Sequence, residues 1–527
     1  MSKGSKVNQV VLIIIDDVRS SHLFGLMDKG KLPTIKSLVL NGVFSKNCIT
    51  SFPSITFPCY ANIVLGSYSG YYPKEGSAIP MYHWVGRTDP PTEDGPLPII
   101  REYNGIQAFE IPNDIGPNAK TIFEQAGDGN FLSVLNMVNR GSYFYPDSML
   151  KIGIAYLWYA MIKKDIASSN PRILKYVENV FRKTKKRKKY FGNTEVPRVT
   201  VAYIPGTDDL MHHKGFDHPE YINEVINCDG YVGDLINTLK ETGHYDDTAI
   251  CIAFDHGNYK SGRMVDLEPF FEKKGLIPYA PKQGIIGDFD ATFGGIGFFN
   301  FRGESWYKHP TYKELSDFKP SGVGASNLSL FETLWEIPGV KYMYYPDENN
   351  SPDKGIIHLE KLNEESGKKI QGRIEFEGHG INQKTKYTFE DEELFGYDKD
   401  ETAQKVLDNK PHSIDEWLAA TSKVDFPIFI DQLPRYFKNP RSCDIMVSTC
   451  GTVGFGYEHG RTKSTYPHSH DLALRKSMNV ALIIGGSPEI PSLEIDYCKT
   501  TDIVPTLLDL LGETPHKSVV GKSLLNY

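Results

Sequence analysis

Hydrophobic residues in this chain fall in short continuous runs rather than in strict alternation. Residues 10–15 read VVLIII, a β-branched run that predicts a parallel strand buried on both faces. Similar runs recur at 199–204 (VTVAYI), 248–254 (TAICIAF), 443–448 (CDIMVS) and 480–484 (VALII). Helical patterns lie between several of them. Residues 219–242 carry apolar side chains at helical spacing and stop near Gly243. Strands alternating with helices predict an α/β sandwich around a mostly parallel central sheet.

Two regions break the alternation. Residues 73–118 are rich in Pro, Gly and Tyr, and 259–425 carry many Gly, Pro and charged residues, with an acidic segment at 390–393. The reading is a catalytic core formed by 1–258 and 426–527, with 259–425 inserted as a cap or substrate-specificity region.

Composition narrows the class. At 527 residues the chain can build a large core, and its net charge of -8 argues against nucleic acid as a partner. The basic run RKTKKRKK at 182–189 reads as a solvated helix end or loop. The seven cysteines are scattered, odd in number and free of CxxC pairs, which fits reduced thiols. The apolar run at 10–15 is too short for a signal peptide and ends in two aspartates, and IGIAYLWYAMI at 152–162 is too short to span a membrane. A cytoplasmic protein without a membrane span is expected.

The chemistry gathers at the strand ends. Four predicted strand ends are followed at once by acidic or histidine residues: Asp16 and Asp17, then Asp208 and Asp209, then Asp255 and His256, and later His468 and His470. In open α/β sheets the binding crevice lies outside the carboxyl ends of the strands. Asp208 and His212 stand at i, i+4, so helical geometry would put both on one face. Asp-His-His sets suit zinc and, less well, manganese or iron. Each motif alone has a plainer explanation: a helix N-cap, a structural histidine, a turn. Four together at four strand ends point to a site. The segment FPSITFPCYANIVLG at 52–66 lies between the first two. Thr56 in its middle would be a poor nucleophile unaided, and metals would make it a useful one.

These residues resemble the alkaline phosphatase superfamily, most closely its type I phosphodiesterase/nucleotide pyrophosphatase branch. IIIDDVR is similar to that branch's strand-DGFR, with Asp16 as the metal-binding aspartate and Asp17 where a glycine stands. LPTIKSLVLNGVFSKNCITSFPSITFPCYANIVLG follows its pattern with Thr56 in the nucleophile position. YIPGTDDLMHHKG matches at Asp208 and His212, and FDHGN at Asp255 and His256. The last histidine of the branch sits in an HG motif about ten residues before a strand, which fits His470 better than His468. The resemblance covers roughly residues 8 to 85, 196 to 258 and 440 to 525.

The resemblance implies two divalent metal ions, with zinc expected and manganese an alternative. Asp208, His212 and His470 would hold one; Asp16, Asp255 and His256 would hold the other, with Thr56 as its nucleophilic ligand. The implied activity is hydrolysis of phosphodiester or nucleotide pyrophosphate bonds in a small phosphorylated substrate, through a phosphothreonine. A phosphomonoesterase, a phosphotransferase or a non-catalytic phosphate-ester-binding relative would share the fold. A sulfatase would need an arginine where Tyr60 stands. The branch's phosphate-contacting Asn is replaced within SAIPMYHW by Tyr82 or His83, which become the candidate substrate-binding groups. Cys59 and Tyr60 replace an Asn-His pair, and Cys59 reads as a packed helix cysteine.

Overall fold

The strand Gln9–Ile15 is the centre of the protein, and its neighbours explain where the site lies. It pairs in parallel with Pro197–Ile204 on one side and Thr248–Phe254 on the other. Ile15 is level with both Ile204 and Phe254. The three strands therefore end on one line, and the residues that follow them emerge at a common rim. Burial on both faces accounts for the uninterrupted β-branched sequence: Val10 to Ile14 have no exposed surface. This is a computed structural model, and it describes residues 6–70, 79, 81, 83–87, 98, 100–103, 105–146, 157–162, 165–280, 283–456 and 467–526.

The first sheet continues from Pro197–Ile204 through Asn130–Val134 to Tyr143–Tyr145, all in parallel. On its other side Asn479–Gly486 runs antiparallel to Thr248–Phe254 and to Val43–Ile49. Short strands Leu493–Glu494 and Cys498–Lys499 pair with Val43–Ile49 and close that edge. Helices such as Thr56–Leu65, Asn170–Arg182, Pro219–Glu241 and Ile503–Leu511 pack their apolar faces into the core around this sheet. The α/β fold with a mostly parallel sheet is the one the hydrophobic runs predict.

Two of those runs differ from expectation. VALII lies in Asn479–Gly486, which is antiparallel rather than parallel. His468 and His470 consequently precede the strand that leaves the rim, instead of following a strand that arrives there. CDIMVS contributes Ile445–Ser448 to a second sheet, antiparallel between Ile296–Phe301 and Tyr342–Pro346. A four-residue run buried on both faces looks the same in either setting. Here Met446 faces one apolar cluster while Ile445 and Val447 face another. The second sheet has the order Phe289–Phe293, Ile296–Phe301, Ile445–Ser448, Tyr342–Pro346, Lys354–Leu362, Lys369–Glu377, Lys384–Phe389 and His412–Ser413, antiparallel throughout. It draws on residues 289–413 and on one strand from beyond residue 425. Among the described residues no helix is long and apolar enough to cross a membrane.

Candidate metal centre

Six of the sequence-predicted residues meet at the rim in two triads. Asp16 follows Gln9–Ile15, and Asp255 and His256 follow Thr248–Phe254. One ligand atom from each of these three can be chosen so that all lie within 4.8 Å of one another. Asp208 and His212 sit one turn apart on the helix Gly206–Lys214, and with His470 they form a second set that meets the same limit. The helix starts two residues after Ile204, so the i, i+4 pair faces the rim.

Histidine orientation is set by the backbone. His212 Nδ1 lies 2.9 Å from the His468 carbonyl, His470 Nδ1 3.0 Å from that of Ser54, and His256 Nδ1 3.1 Å from that of Gly257. With Nδ1–H donated to a carbonyl, each ring turns an Nε2 lone pair inward, as a metal-ligating histidine requires. His256 Nε2 lies 3.4 Å from Asp16 Oδ1 and 3.6 Å from Asp255 Oδ2. His212 Nε2 lies 3.3 Å from Asp208 Oδ1 and 3.2 Å from His470 Nε2.

The donor set fits a pair of cations on a second, independent ground. Asp16 Oδ1, Asp208 Oδ1 and Asp255 Oδ2 are buried without a hydrogen-bond partner. Buried carboxylate oxygens are rarely left so, because desolvation without compensation is costly. Electrostatics agrees. Burial, then the charges of Asp255 and Asp208, push Asp16 well above the usual carboxylate range. Burial raises Asp255 to about 7, and it lowers His256 to about 3. Burial would lower His212 too, but the neighbouring Asp208 outweighs it and lifts the imidazole to about 9. Crowding ionised carboxylates at this buried rim is thus unfavourable without added positive charge, and divalent cations would supply it.

Thr56 is the first residue of the helix Thr56–Leu65, and its Oγ1 lies 3.2 Å from His256 Nε2. The strand Val43–Ile49 is antiparallel to Asn479–Gly486, so its carboxyl end reaches the same rim and delivers Thr56 there. The N–H groups of the first helical turn have no intrahelical acceptor and favour an anion. A cavity of about 310 Å³ opens beside Thr56, Asp208, His212 and His470, walled by Phe57 and by Thr292, Phe293, Gly294 and Phe298 of the second sheet.

His83 lies on the short strand His83–Val85 with Nε2 2.5 Å from Asp290 Oδ2, both side chains buried. Its ring is thus engaged by the second sheet. Tyr82 lies outside the described residues. Cys59 is fully buried, its thiol beside Ser51 and pushed up to about 12 by burial, which makes it a packing residue. His468 contributes its carbonyl, while its ring rests near Gly215 and Phe216.

Several supporting residues escape a reading of the sequence. Tyr203 donates its hydroxyl to Asp16 Oδ2, and Thr207 donates to the Asp16 carbonyl. Asp471 receives Tyr259 OH at 2.9 Å and the Ile296 N–H at 3.0 Å, tying the loop of His470 to the second sheet. Only Asp471, beside the predicted His470, carries a local signal.

The sequence model described as type I phosphodiesterase/nucleotide pyrophosphatase matches residues 10–72 and 120–315. The chain resembles that family over about half of its length. An uncharacterized pyrophosphatase/phosphodiesterase of Schizosaccharomyces pombe is 24% identical over 368 residues, covering 67% of each chain. Human ectonucleotide pyrophosphatase/phosphodiesterase family member 5 is 24% identical over 160 residues, 29% of this chain and 31% of that protein. Among solved structures, human ectonucleotide pyrophosphatase/phosphodiesterase 5 superposes with a TM-score of 0.54 at 13% identity, covering 96% of this chain and 95% of that one. An inactive threonine-to-alanine variant of the murine protein in complex with AMP gives 0.52 at 12% identity, covering 96% of each. At such identities the superpositions speak for the fold. That resemblance supports a hydrolase of the pyrophosphatase/phosphodiesterase kind.

Proposed function

We propose that the protein hydrolyses phosphodiester or nucleotide pyrophosphate bonds at a two-metal centre, with Thr56 as nucleophile. The observation that carries this reading is the position of Thr56 Oγ1, 3.2 Å from His256 Nε2 at the mouth of the Asp16–Asp255–His256 triad. Asp208, His212 and His470 would hold one cation and Asp16, Asp255 and His256 the other. Bound there, divalent ions would lower the pKa of the threonine hydroxyl and neutralise charge on the phosphate and leaving oxygens.

The protein's own groups do the rest. Thr56 Oγ1 forms a bond to phosphorus while the bond to the leaving oxygen breaks, giving a phosphothreonine and a released alcohol or phosphate. Water then attacks phosphorus, the Thr56 Oγ1–phosphorus bond breaks, and the hydroxyl is restored. Amides at the start of the helix Thr56–Leu65 orient the phosphoryl oxygens. Tyr203, through Asp16, and the three backbone carbonyls, through the histidines, hold the ligand set in place. Phe57, Phe293 and Phe298 supply an apolar wall for the substrate's organic group. The AMP held by the murine relative supports a nucleotide as that group.

The test is the initial rate on a nitrophenyl phosphodiester and the matching monoester, before and after chelation and with zinc or manganese restored. Metal-restored activity that favours the diester supports the reading. Preference for the monoester makes the protein a phosphatase, and no hydrolysis of either by the metal-loaded protein removes the hydrolytic mechanism.

A further inference from the structure

Asp17 is the carboxylate of this rim that the two triads leave out. It is fully buried, and its φ of +53° is one that glycine adopts freely and a residue with a side chain adopts seldom. It stands where the related strand-DGFR pattern carries glycine.

Its contacts run to the Asp16–Asp255–His256 triad. The Asp17 N–H donates to Asp255 Oδ1 at 3.1 Å, and Asp17 Oδ1 lies 3.9 Å from His256 Nδ1. Asn258 Nδ2 donates to Oδ1 at 2.7 Å, and Tyr221 OH donates to the Asp17 carbonyl at 2.9 Å. Oδ2 is buried and has no hydrogen-bond partner. Among the described residues no lysine or arginine forms an ion pair with it; the Arg19 guanidinium is held instead by the Asn258 carbonyl, with Nε at 2.8 Å. An unbonded, buried Oδ2 opposes folding, and the charge of nearby Arg19 offsets only part of what burial costs this carboxyl group.

We propose that Asp17 is a fourth carboxylate of the metal centre, beside the Asp16–Asp255–His256 triad, whose charge helps retain divalent cations there. This rests on the reading that the triads hold cations. An additional oxygen donor, direct or through a bound water, adds negative charge where two cations would repel each other.

The experiment is calorimetric titration of Zn2+ and of Mn2+ into chelator-stripped full-length protein, as wild type, Asp17→Asn and Asp17→Gly. Asn keeps the shape and removes the charge; Gly also relieves the backbone, so it decides the matter should Asn fail to fold. Both substitutions are expected to weaken cation binding tenfold or more and to raise the thermal midpoint of the metal-free protein. For Asn, which leaves the backbone as it is, a merely structural aspartate would move that midpoint the other way. Binding within twofold of wild type, or a metal-free variant less stable than wild type, overturns the proposal. Wild type that binds neither ion overturns the reading of the centre itself, and with it the role of Asp17.

Discussion

His256 and His470 stack with ring centroids 3.8 Å apart and planes inclined by 22°. They belong to different triads, so the two candidate cation sites share a wall built from side chains far apart in the chain. His470→Ala should therefore remove the cation of its own triad and loosen the other, because His256 loses the ring it packs against. Elemental analysis after dialysis should give no more than one equivalent of metal per chain against two for wild type. Two equivalents in the variant would separate His470 from the centre.

Thr56→Ala should reduce turnover of a phosphodiester to background while leaving metal content unchanged. Thr56 is the nucleophile in the proposed reaction, but six other side chains form the triads. Rapid quenching with a labelled diester should trap phosphoprotein in wild type and none in the variant. Undiminished steady-state activity would take Thr56 out of the mechanism.

Tyr203→Phe tests the support beneath Asp16. The hydroxyl donates to Asp16 Oδ2 and fixes which oxygen faces the centre. Loss of an outer partner of this kind costs about 10–100-fold in metal affinity or activity. The variant should need correspondingly more zinc for half-maximal rate, measured by add-back to stripped enzyme, and an unchanged requirement would make the contact irrelevant to the centre.

Gly294→Ala should disturb the cavity wall without touching a candidate ligand. A Cβ on Gly294 would stand 2.3 Å from Asp471 Oδ2, the atom that receives the Ile296 N–H. Losing that buried bond costs about 1–3 kcal/mol. KM for the diester should rise more than kcat falls, since the second sheet supplies Thr292, Phe293 and Phe298 to the wall. A fall in kcat alone would place the defect at the metal centre instead.

Stability should rise with pH above neutrality through Lys438. Its Nζ donates to the Gly378 carbonyl at 2.6 Å and to Gln383 Oε1 at 2.7 Å. Burial, then the adjacent Arg435, lowers its ammonium from 10.5 to about 7. Between those two values the unfolded chain binds the proton more often than the folded one, so this group's contribution grows as pH increases through that window. Urea midpoints from pH 7 to 10 should climb in wild type and climb less in Lys438→Met. Parallel curves would show that Lys438 does not titrate across that range.

Much of the site is legible from local sequence because strands buried on both faces announce themselves. VVLIII and TAICIAF leave no polar face, so Asp16 and Asp255 stand out as the first charged residues beyond them. Asp208 and His212 are visible as a pair because one helical turn separates them. Strand direction is not encoded this way: VALII reads the same whether the chain travels toward the rim or away from it. Nor is sheet membership, since CDIMVS has the same texture in a parallel core as in the antiparallel sheet that holds it.

The sequence by itself determined the α/β class, the strand-end acids and the threonine, because these follow from burial, spacing and resemblance within short segments. Only the tertiary structure decided that Ile15, Ile204 and Phe254 end level, that the antiparallel strand after His470 begins at the same rim, and that four carboxylate oxygens are buried there without hydrogen-bond partners. Those facts depend on register between segments hundreds of residues apart. Register is set by packing across the whole sheet, where each strand's buried face must match its neighbours', and no single segment carries that information.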